Sequence, residues 1–431
     1  MTDPALPEPH SPAALPAKGS RRVLLIVFFT VFLDLVGFGI IIPIQPFYAE
    51  SFGASAAVVT LLGASYSLMQ FLFASFWGRL SDRVGRRPVM LVSILFGVIG
   101  YVLFGLAGSL PLLFAARMLS GFGNANIGTA QAIIADSTDA AGRARGMGLI
   151  GAAFGLGFIF GPAIGGLFSP FGLAVPAFIA AGLGACNWIL ALFLLPETRV
   201  VRPGAGAIRP ATRRVPLSIA ALLRAMRQPA IARLLTLFLF VTLAFALMEQ
   251  VLGLFIEHAW MPAAGDVSVG TARALRAAKL TTWILLAVGI AATVVQGGLI
   301  GPLVRRFGER KLVIAGTTIL AISLAITPIV AGTAVFALMI ALGAVWAIGS
   351  SITTPSLASL LSLTVGDEEQ GGMLGLGQSL SALGRVLGPA AAGWLFEIGP
   401  GLPFQVGGGL MALCAIVALG VRAPERARKT G

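Results

Sequence analysis

Twelve apolar stretches dominate this sequence, each close to the roughly 20 residues that one bilayer-crossing helix needs. They lie near 22–47, 58–77, 88–108, 111–135, 146–168, 174–195, 232–256, 279–301, 311–331, 334–361, 372–396 and 403–421. Strands of a membrane barrel would be about half as long and would alternate in polarity. The expected fold is therefore an all-α membrane protein of twelve transmembrane helices. A soluble fold fails on composition: hydrophobic residues make up 57% of the chain and charged residues 11%, against about 25% charged in an average soluble domain. The same figures exclude disorder over most of the length.

The net charge of +13 would point to nucleic acid in a soluble protein. Its distribution gives another meaning. With the N-terminus in the cytoplasm, 25 of the 30 Lys and Arg fall in cytoplasmic segments, three (Arg273, Arg276 and Lys279) fall outside, and Arg117 and Arg385 fall within spans. Positive loops stay on the cytoplasmic side, so both termini are expected there and no nucleic-acid partner is implied. Residues 1–21, with five prolines, read as a disordered cytoplasmic tail. Residues 22–196 form the first six-helix bundle, 197–231 a basic cytoplasmic linker, 232–421 the second bundle and 422–431 a cytoplasmic tail. Within the linker, 216–229 reads equally as a short interfacial helix or as plain linker. Cys186 and Cys414 fall in opposite halves and read as free buried thiols.

The halves echo each other. Residues 78–89 (GRLSDRVGRRPV) align with 301–312 (GPLVRRFGERKL), 114–121 (FAARMLSG) with 336–343 (FALMIALG), and 161–165 (GPAIG) with 388–392 (GPAAA), at offsets of 223, 222 and 227. A six-plus-six duplication is the simplest source of three near-equal offsets. Parallel repeats of this kind place a substrate site at their interface, near the bilayer midplane.

Four ionisable residues sit deep in spans: Asp34, Arg117, Glu249 and Arg385. Charged side chains at mid-bilayer cost about 2.5–3.5 kcal/mol on insertion scales and normally face a cavity and serve function; a buried ion pair or a polar helix anchor is the structural alternative. Asp34 is the best proton carrier, because burial and a nearby cation shift a carboxyl in opposite directions. Its helix face continues through Phe38, Ile41 and Gln45, a mixed face that suits a cavity wall. On span 4, Arg117, Gly121, Asn124, Gly128 and Gln131 form one polar or small stripe at helical spacing, which close helix packing would also explain. Glu249 on span 7 reads as a second protonatable group, a contact for a cationic substrate group, or a helix anchor. Arg385 shares a face with Gln378 and Ser381 and could pair with Glu249 or bind an anionic group. Tyr66, Gln70, Trp346 and Ser350 are further cavity candidates. In the second loop, Gly78 and Gly85 permit tight turns. Arg83, Arg86 and Arg87 are in part ordinary topology signals, whereas Asp82 opposes that signal. On span 5, Gly157, Gly161, Pro162 and Gly165 make a thin helix with a kink site, able to slide against a neighbour.

Taken together, these segments make the chain resemble a major facilitator superfamily transporter, within it the twelve-span drug:proton antiporters, and among those the tetracycline-exporter-like proteins. Four segments carry the resemblance: 33–46 (LDLVGFGIIIPIQP), 78–88 (GRLSDRVGRRP), 113–125 (LFAARMLSGFGNA) and 151–166 (GAAFGLGFIFGPAIGG). The resemblance implies that Arg117 takes part in proton coupling with Asp34, directly or through water. It implies that Asp82 and its neighbouring arginine form a cytoplasmic gate, with Asp82 near Arg83 or Arg86 and near 371–373. It also implies that the span 5 motif goes with exchange. The resemblance is incomplete. Tetracycline-exporting members carry a span 3 aspartate where Gly100 stands here, and a span 9 aspartate where 311–331 contains no acid. A magnesium–tetracycline substrate is thus disfavoured, and a zwitterionic one comes into play.

An enzyme is excluded on residue supply. The two histidines, His10 and His258, lie outside the spans, Asp34 is the sole aspartate deep in one, and none of the four lysines follows a glycine, as a Walker A motif requires. No cofactor or metal is implied. The leading expectation is proton-coupled antiport (efflux) of small amphiphilic compounds by a monomer in a bacterial inner membrane, its partners being the small-molecule substrate, protons and the bilayer. Proton symport or lipid or glycolipid translocation on the same fold is the alternative, and a non-transporting receptor a remote one.

Overall fold

The computed structural model describes residues 17–138, 140–198, 219–260, 267–365 and 370–421. The tail before residue 17, most of the 197–231 linker and the tail 422–431 lie outside the described residues. Sixteen α-helices follow: α1 (Ala17–Ile41), α2 (Gln45–Glu50), α3 (Ala56–Val84), α4 (Arg86–Gly105), α5 (Leu110–Gly123), α6 (Ile127–Ser137), α7 (Ala140–Phe168), α8 (Val175–Leu194), α9 (Ile219–Met226), α10 (Pro229–Trp260), α11 (Val267–Val294), α12 (Ile300–Phe307), α13 (Glu309–Gly332), α14 (Phe336–Thr364), α15 (Gln370–Ile398) and α16 (Leu402–Leu419). No strand occurs among the described residues. Among the described residues, ten helical segments are long and apolar enough to cross a membrane, one of them running from α11 into α12 through a π-helical turn at Val295–Leu299.

The two other expected spans are helical as well. Span 11 is the 29-residue, glycine-rich α15. Span 4 departs from the continuous helix expected. It divides into α5 and α6 around Asn124–Asn126, where Asn124 and Asn126 take φ −77° and −94° with ψ near 0°. Gly and Asn are weak helix formers, and an Asn amide competes for hydrogen bonds. The break frees two buried amides for other partners.

Helices α1 and α3–α8 pack together, as do α10, α11 and α13–α16. Apolar cores fill each set, one around Ile40, Phe104 and Leu113, the other around Leu234, Trp346 and Phe404. The repeat is visible in the backbone. Gly85 between α3 and α4 has φ +122°, and Gly308 between α12 and α13 has φ +78°, conformations that L side chains rarely adopt. Cys414 is buried as expected. Cys186 is exposed instead, on a stretch of α8 that also exposes Ile189 and Leu190. A bilayer, not a protein core, is the cover for that face.

Glycines set the closest approaches. A Cβ at Gly161 would meet Gly39 Cα at 2.6 Å, and one at Gly157 would meet Leu35 Cβ at 2.6 Å. Gly165 abuts the Ile40 carbonyl. These three glycines press α7 onto α1, the helix that carries Asp34. Gly155 and Gly166 face Thr293 and Thr282 of α11 instead, so α7 is wedged between the two halves.

The halves touch through α3 with α15 and α7 with α11. At the end away from the arginine-rich loops the contact is tight. Ala57 N–H donates to Glu397 Oε1 at 3.1 Å, Gly393 sits against Ala56, Ala57 and Thr60, and Phe47 packs on Ala277 and Ala278. At the arginine-rich end, a Cβ at Gly78, Gly297, Gly298, Gly301 or Gly375 would meet nothing within 4 Å. Among the described residues the halves therefore meet closely at the far end, while these five glycines at the arginine-rich end face open space. A Gly393→Val substitution, which drives two methyls into Ala57, should hold the far end ajar. The check is alkylation of a cysteine at Ala57 by a membrane-impermeant reagent, in a Cys186→Ser background. A rate at least tenfold above that of the Gly393 parent is expected; an unchanged rate would contradict the closure contact.

Candidate functional site

The site begins at Asp34, half-buried on α1. Its Oδ1 accepts from Asn187 Nδ2 of α8 at 3.0 Å, and its Oδ2 accepts from Asn126 Nδ2, at the α5–α6 break, at 3.3 Å. Both amides are locked by second bonds: Asn187 donates to the Thr30 carbonyl at 3.1 Å and Asn126 to Ser93 Oγ at 3.0 Å. They are 1% and 3% exposed, respectively. The carboxyl is thus positioned by three other elements of the first half. A cavity of about 20 Å³ opens beside it, between Phe38, Tyr66, Gln70, Asn124 and Ile127, room for about one water.

Arg117 does not pair with Asp34. Its guanidinium lies over the Tyr66 ring, 4.4 Å from the centroid, and 5.9 Å from that of Phe38. The residue is 4% exposed, and its Nε and Nη1 have no hydrogen-bond partner among the described residues. The direct version of the expected Asp34–Arg117 coupling is corrected accordingly; an indirect route exists. Asn124 Nδ2 donates to the Tyr101 hydroxyl at 3.2 Å, and Asn124 also bonds Tyr66. Both tyrosines lie within electrostatic reach of Asp34 and of Arg117. Across the interface, Glu249 of α10 is within electrostatic reach of both Arg117 and Arg385, and its Oε1 has no partner among the described residues. The four ionisable residues singled out in the sequence therefore form one chain that runs across both halves.

The other cavity candidates divide. Phe38 stacks on Tyr66 with centroids 5.0 Å apart, and Gln70 Nε2 donates to the Asn124 carbonyl at 3.1 Å; both line the small cavity. Gln378 and Arg385 are exposed on α15, and Gln131 is exposed on α6. Trp346 is not on a cavity wall: it is fully buried against Phe404 in the second core, where its indole fills space between helices. Gln45 is likewise displaced from the cavity. It is 5% exposed and sits with Gln250 around Gly63, in the contact between the halves. Ser350 Oγ turns back to the Ala347 carbonyl of its own helix at 3.2 Å. Gly100 faces Ser120, whose backbone N would lie 2.8 Å from an added Cβ. The α4–α5 contact therefore leaves no space for an acid at that position.

At the arginine-rich end, Arg86 organises the second loop. Its Nη1 pairs with Asp82 Oδ1 at 2.6 Å and donates to Ser81 Oγ at 2.8 Å, and its Nε pairs with Asp136 Oδ2 of α6 at 2.9 Å. Asp82 thus lies beside Arg86, one of the two neighbours expected. Its approach to 371–373 borders on 366–369, which lie outside the described residues. Glu197, just past α8, receives the backbone N–H groups of Arg86 and Arg87 at 3.0 and 3.1 Å. That carboxylate sits at the N-terminus of α4, where an anion is favoured, and it occupies the space a Cβ at Gly85 would need.

Against known proteins, the description Major Facilitator Superfamily matches residues 27–275 and 267–431. The chain belongs to this superfamily. It is 32% identical to the tetracycline resistance protein, class C, of Escherichia coli, over 92% of this chain and 96% of that one. It is 26% identical to multidrug resistance protein 2 of Bacillus subtilis (strain 168), over 93% and 94%. Among solved structures, the human organic anion transporter MFSD10 (TETRAN) aligns with TM-score 0.68 at 23% identity, over 94% of this chain and 100% of that one. The nucleoside transporter NupG aligns with TM-score 0.71 at 15% identity, over 93% and 99%. This superfamily member is a multi-pass integral membrane protein of the bacterial inner-membrane type, with relatives named for tetracycline and multidrug resistance.

Asp136, Glu197, Asn126, Asn187 and Tyr101 were not singled out in the sequence. Asn187 carried a usable signal, an amide inside an otherwise apolar run. Replacing it with Leu, of similar size, leaves Asp34 Oδ1 without its donor. Turnover in a transport assay is expected to fall at least tenfold, with protein yield and thermal unfolding close to the parent; unchanged turnover would remove Asn187 from the site.

Proposed function

We propose that this protein exports small amphiphilic compounds in exchange for protons by alternating access, with Asp34 as the proton carrier. The observation that carries the reading is the dual amide clamp on Asp34, set in the helix against which the span 5 glycines pack. Ionised, the carboxylate holds Asn126 and Asn187 through charge-assisted hydrogen bonds; protonated, it holds them through neutral ones of about half the strength. Proton binding thereby loosens α1 from α6 and α8. Because α7 packs on α1 through Gly157, Gly161 and Gly165 and on α11 through Gly155 and Gly166, a shift of α1 is passed to the contact between the halves. Relatives named for tetracycline and multidrug resistance support the export direction, since removal of a compound from the cell is one route to resistance. Taking the arginine-rich end as cytoplasmic, the conformation described is open toward the cell interior.

The charged chain across the interface supplies the binding site. Arg117 and Arg385 belong to opposite halves, with Glu249 between them in electrostatic terms. An acid group on a bound compound would engage guanidinium N–H donors that have no partner in this conformation, and Phe38 and Tyr66 would cover its apolar part. A positive group on the same compound would pair with ionised Asp34, which lines the cavity beside Phe38 and Tyr66; a proton on Asp34 removes that partner, which makes proton and compound compete. The driving force suffices: one proton crossing 100 mV releases about 2.3 kcal/mol, and a tenfold concentration gradient costs about 1.4 kcal/mol.

The test is transport in proteoliposomes with an imposed pH gradient, screened over fluorescent amphiphiles. Movement of compound against the proton flux is expected for the parent and not for Asp34→Asn. Compound movement in the same direction as the protons, or an unimpaired Asp34→Asn, would overturn the reading. Arg385→Gln is expected to reduce transport of carboxylate-bearing compounds at least tenfold while sparing neutral ones; equal losses for both would deny it a contact with the acid group.

A further inference from the structure

We propose that Glu50, Glu257 and Arg273 form a proton-operated latch that joins the two halves at the far end. Glu50 ends α2, which follows α1 and packs on α3 in the first half and on α10 and α11 in the second. Glu257 lies near the end of α10, and Arg273 near the start of α11. Arg273 Nε is 2.8 Å from Glu257 Oε1, their side chains 25% and 16% exposed. Glu50 is half-buried, and its carboxyl is hydrogen-bonded to that of Glu257.

Two carboxyl groups can share a hydrogen bond only when one of them carries a proton, since an ionised carboxylate is an acceptor alone. Arg273 holds Glu257, which leaves the proton on Glu50. Burial, then the charge and hydrogen bond of Glu257, push the Glu50 carboxyl up to about 8, and Arg273 offsets part of this. The remaining groups around the latch are engaged or exposed. His258, Arg276 and Lys279 are exposed, Glu397 accepts from Ala57 N–H, the first turns of α3 carry no ionisable group, and Asp266 lies outside the described residues.

The consequence is a directional pH dependence. When the halves part at this end, Glu50 becomes hydrated and returns to the ordinary carboxylate range. The closed form then binds the proton more tightly than the open form. Acid favours closure: the closed-to-open ratio should rise by up to about tenfold for each unit as pH falls from about 8 to about 4.5, and be flat outside that window. Above it both carboxylates are ionised and repel across the interface. The latch is separate from Asp34 and does not depend on which compound is carried.

Pulsed dipolar spectroscopy between nitroxides at Ser109 and Thr333 reads the opening directly. Both residues are exposed in far-end loops, one on each half. The measurement is made on the full chain in lipid nanodiscs from pH 4 to 9, with Cys186→Ser and with Asp34→Asn to remove the proposed carrier. The long-distance population is expected to grow as pH rises through the window and to become independent of pH on addition of Glu50→Gln. Glu50→Gln keeps a hydrogen-bonding side chain, so the closed population should persist at all pH values. A distance distribution that ignores pH before Glu50→Gln is added, or a pH response that survives both Glu50→Gln and Glu257→Gln, would overturn the latch.

Discussion

A carboxyl group inside a bilayer-spanning helix is tolerated only where other parts of the protein meet its hydrogen-bonding needs, because lipid offers none. Asp34 meets that condition through Asn126 and Asn187, one donor for each oxygen. Much of the first half is arranged around this clamp. The interruption of span 4 at Asn124–Asn126 presents one amide to it. Asn187 brings in α8, and its bond to the Thr30 carbonyl ties that helix back to α1. Glycines at 157, 161 and 165 then hold α7 against the same helix. A residue that is costly to bury has become the point on which several helices of the first half converge.

The interface between the halves is asymmetric along its length. At the far end small residues and specific polar contacts seal it: Gly393 on Ala57, Glu397 on the Ala57 amide, and the Glu50–Glu257–Arg273 cluster. At the arginine-rich end Arg86 binds Asp82, Ser81 and Asp136, all within the first half. Between the two, the Arg117–Glu249–Arg385 chain crosses the interface without a direct ion pair among the described residues. Charges that are near but unpaired in a partly dry site interact strongly and are poised for a third partner.

The gross architecture was legible because bilayer length and the positive-loop pattern are read from composition along the chain, without tertiary knowledge. Asp34, Arg117, Glu249 and Arg385 stood out because an ionisable residue in an apolar run is rare and costly. The nearness of Asp82 to Arg83 or Arg86 was an implication of the family resemblance, and the fold selects Arg86, which follows the turn at Gly85. The Asn clamp was not legible, since it joins residues 92 and 153 positions away from Asp34 and only packing brings them together. Trp346 misled because an aromatic residue on a polar-looking span serves a core as readily as a cavity. Gln45 misled because helical spacing continues the Asp34 face on paper, whereas α1 ends at Ile41 and the chain turns before Gln45. Glu50 and Glu257 drew no notice, since acids at span ends look like ordinary surface charge until the fold sets them face to face.

The central claim is that compound and proton compete for a state governed by Asp34. It is tested most directly by proton release on binding, followed with a pH indicator in weakly buffered detergent solution near neutral pH as a compound found by the liposome screen is added. The parent should release protons in proportion to compound bound, and Asp34→Asn should release none while still binding. Equal release from both, or binding with no release from the parent, would place the coupling proton elsewhere.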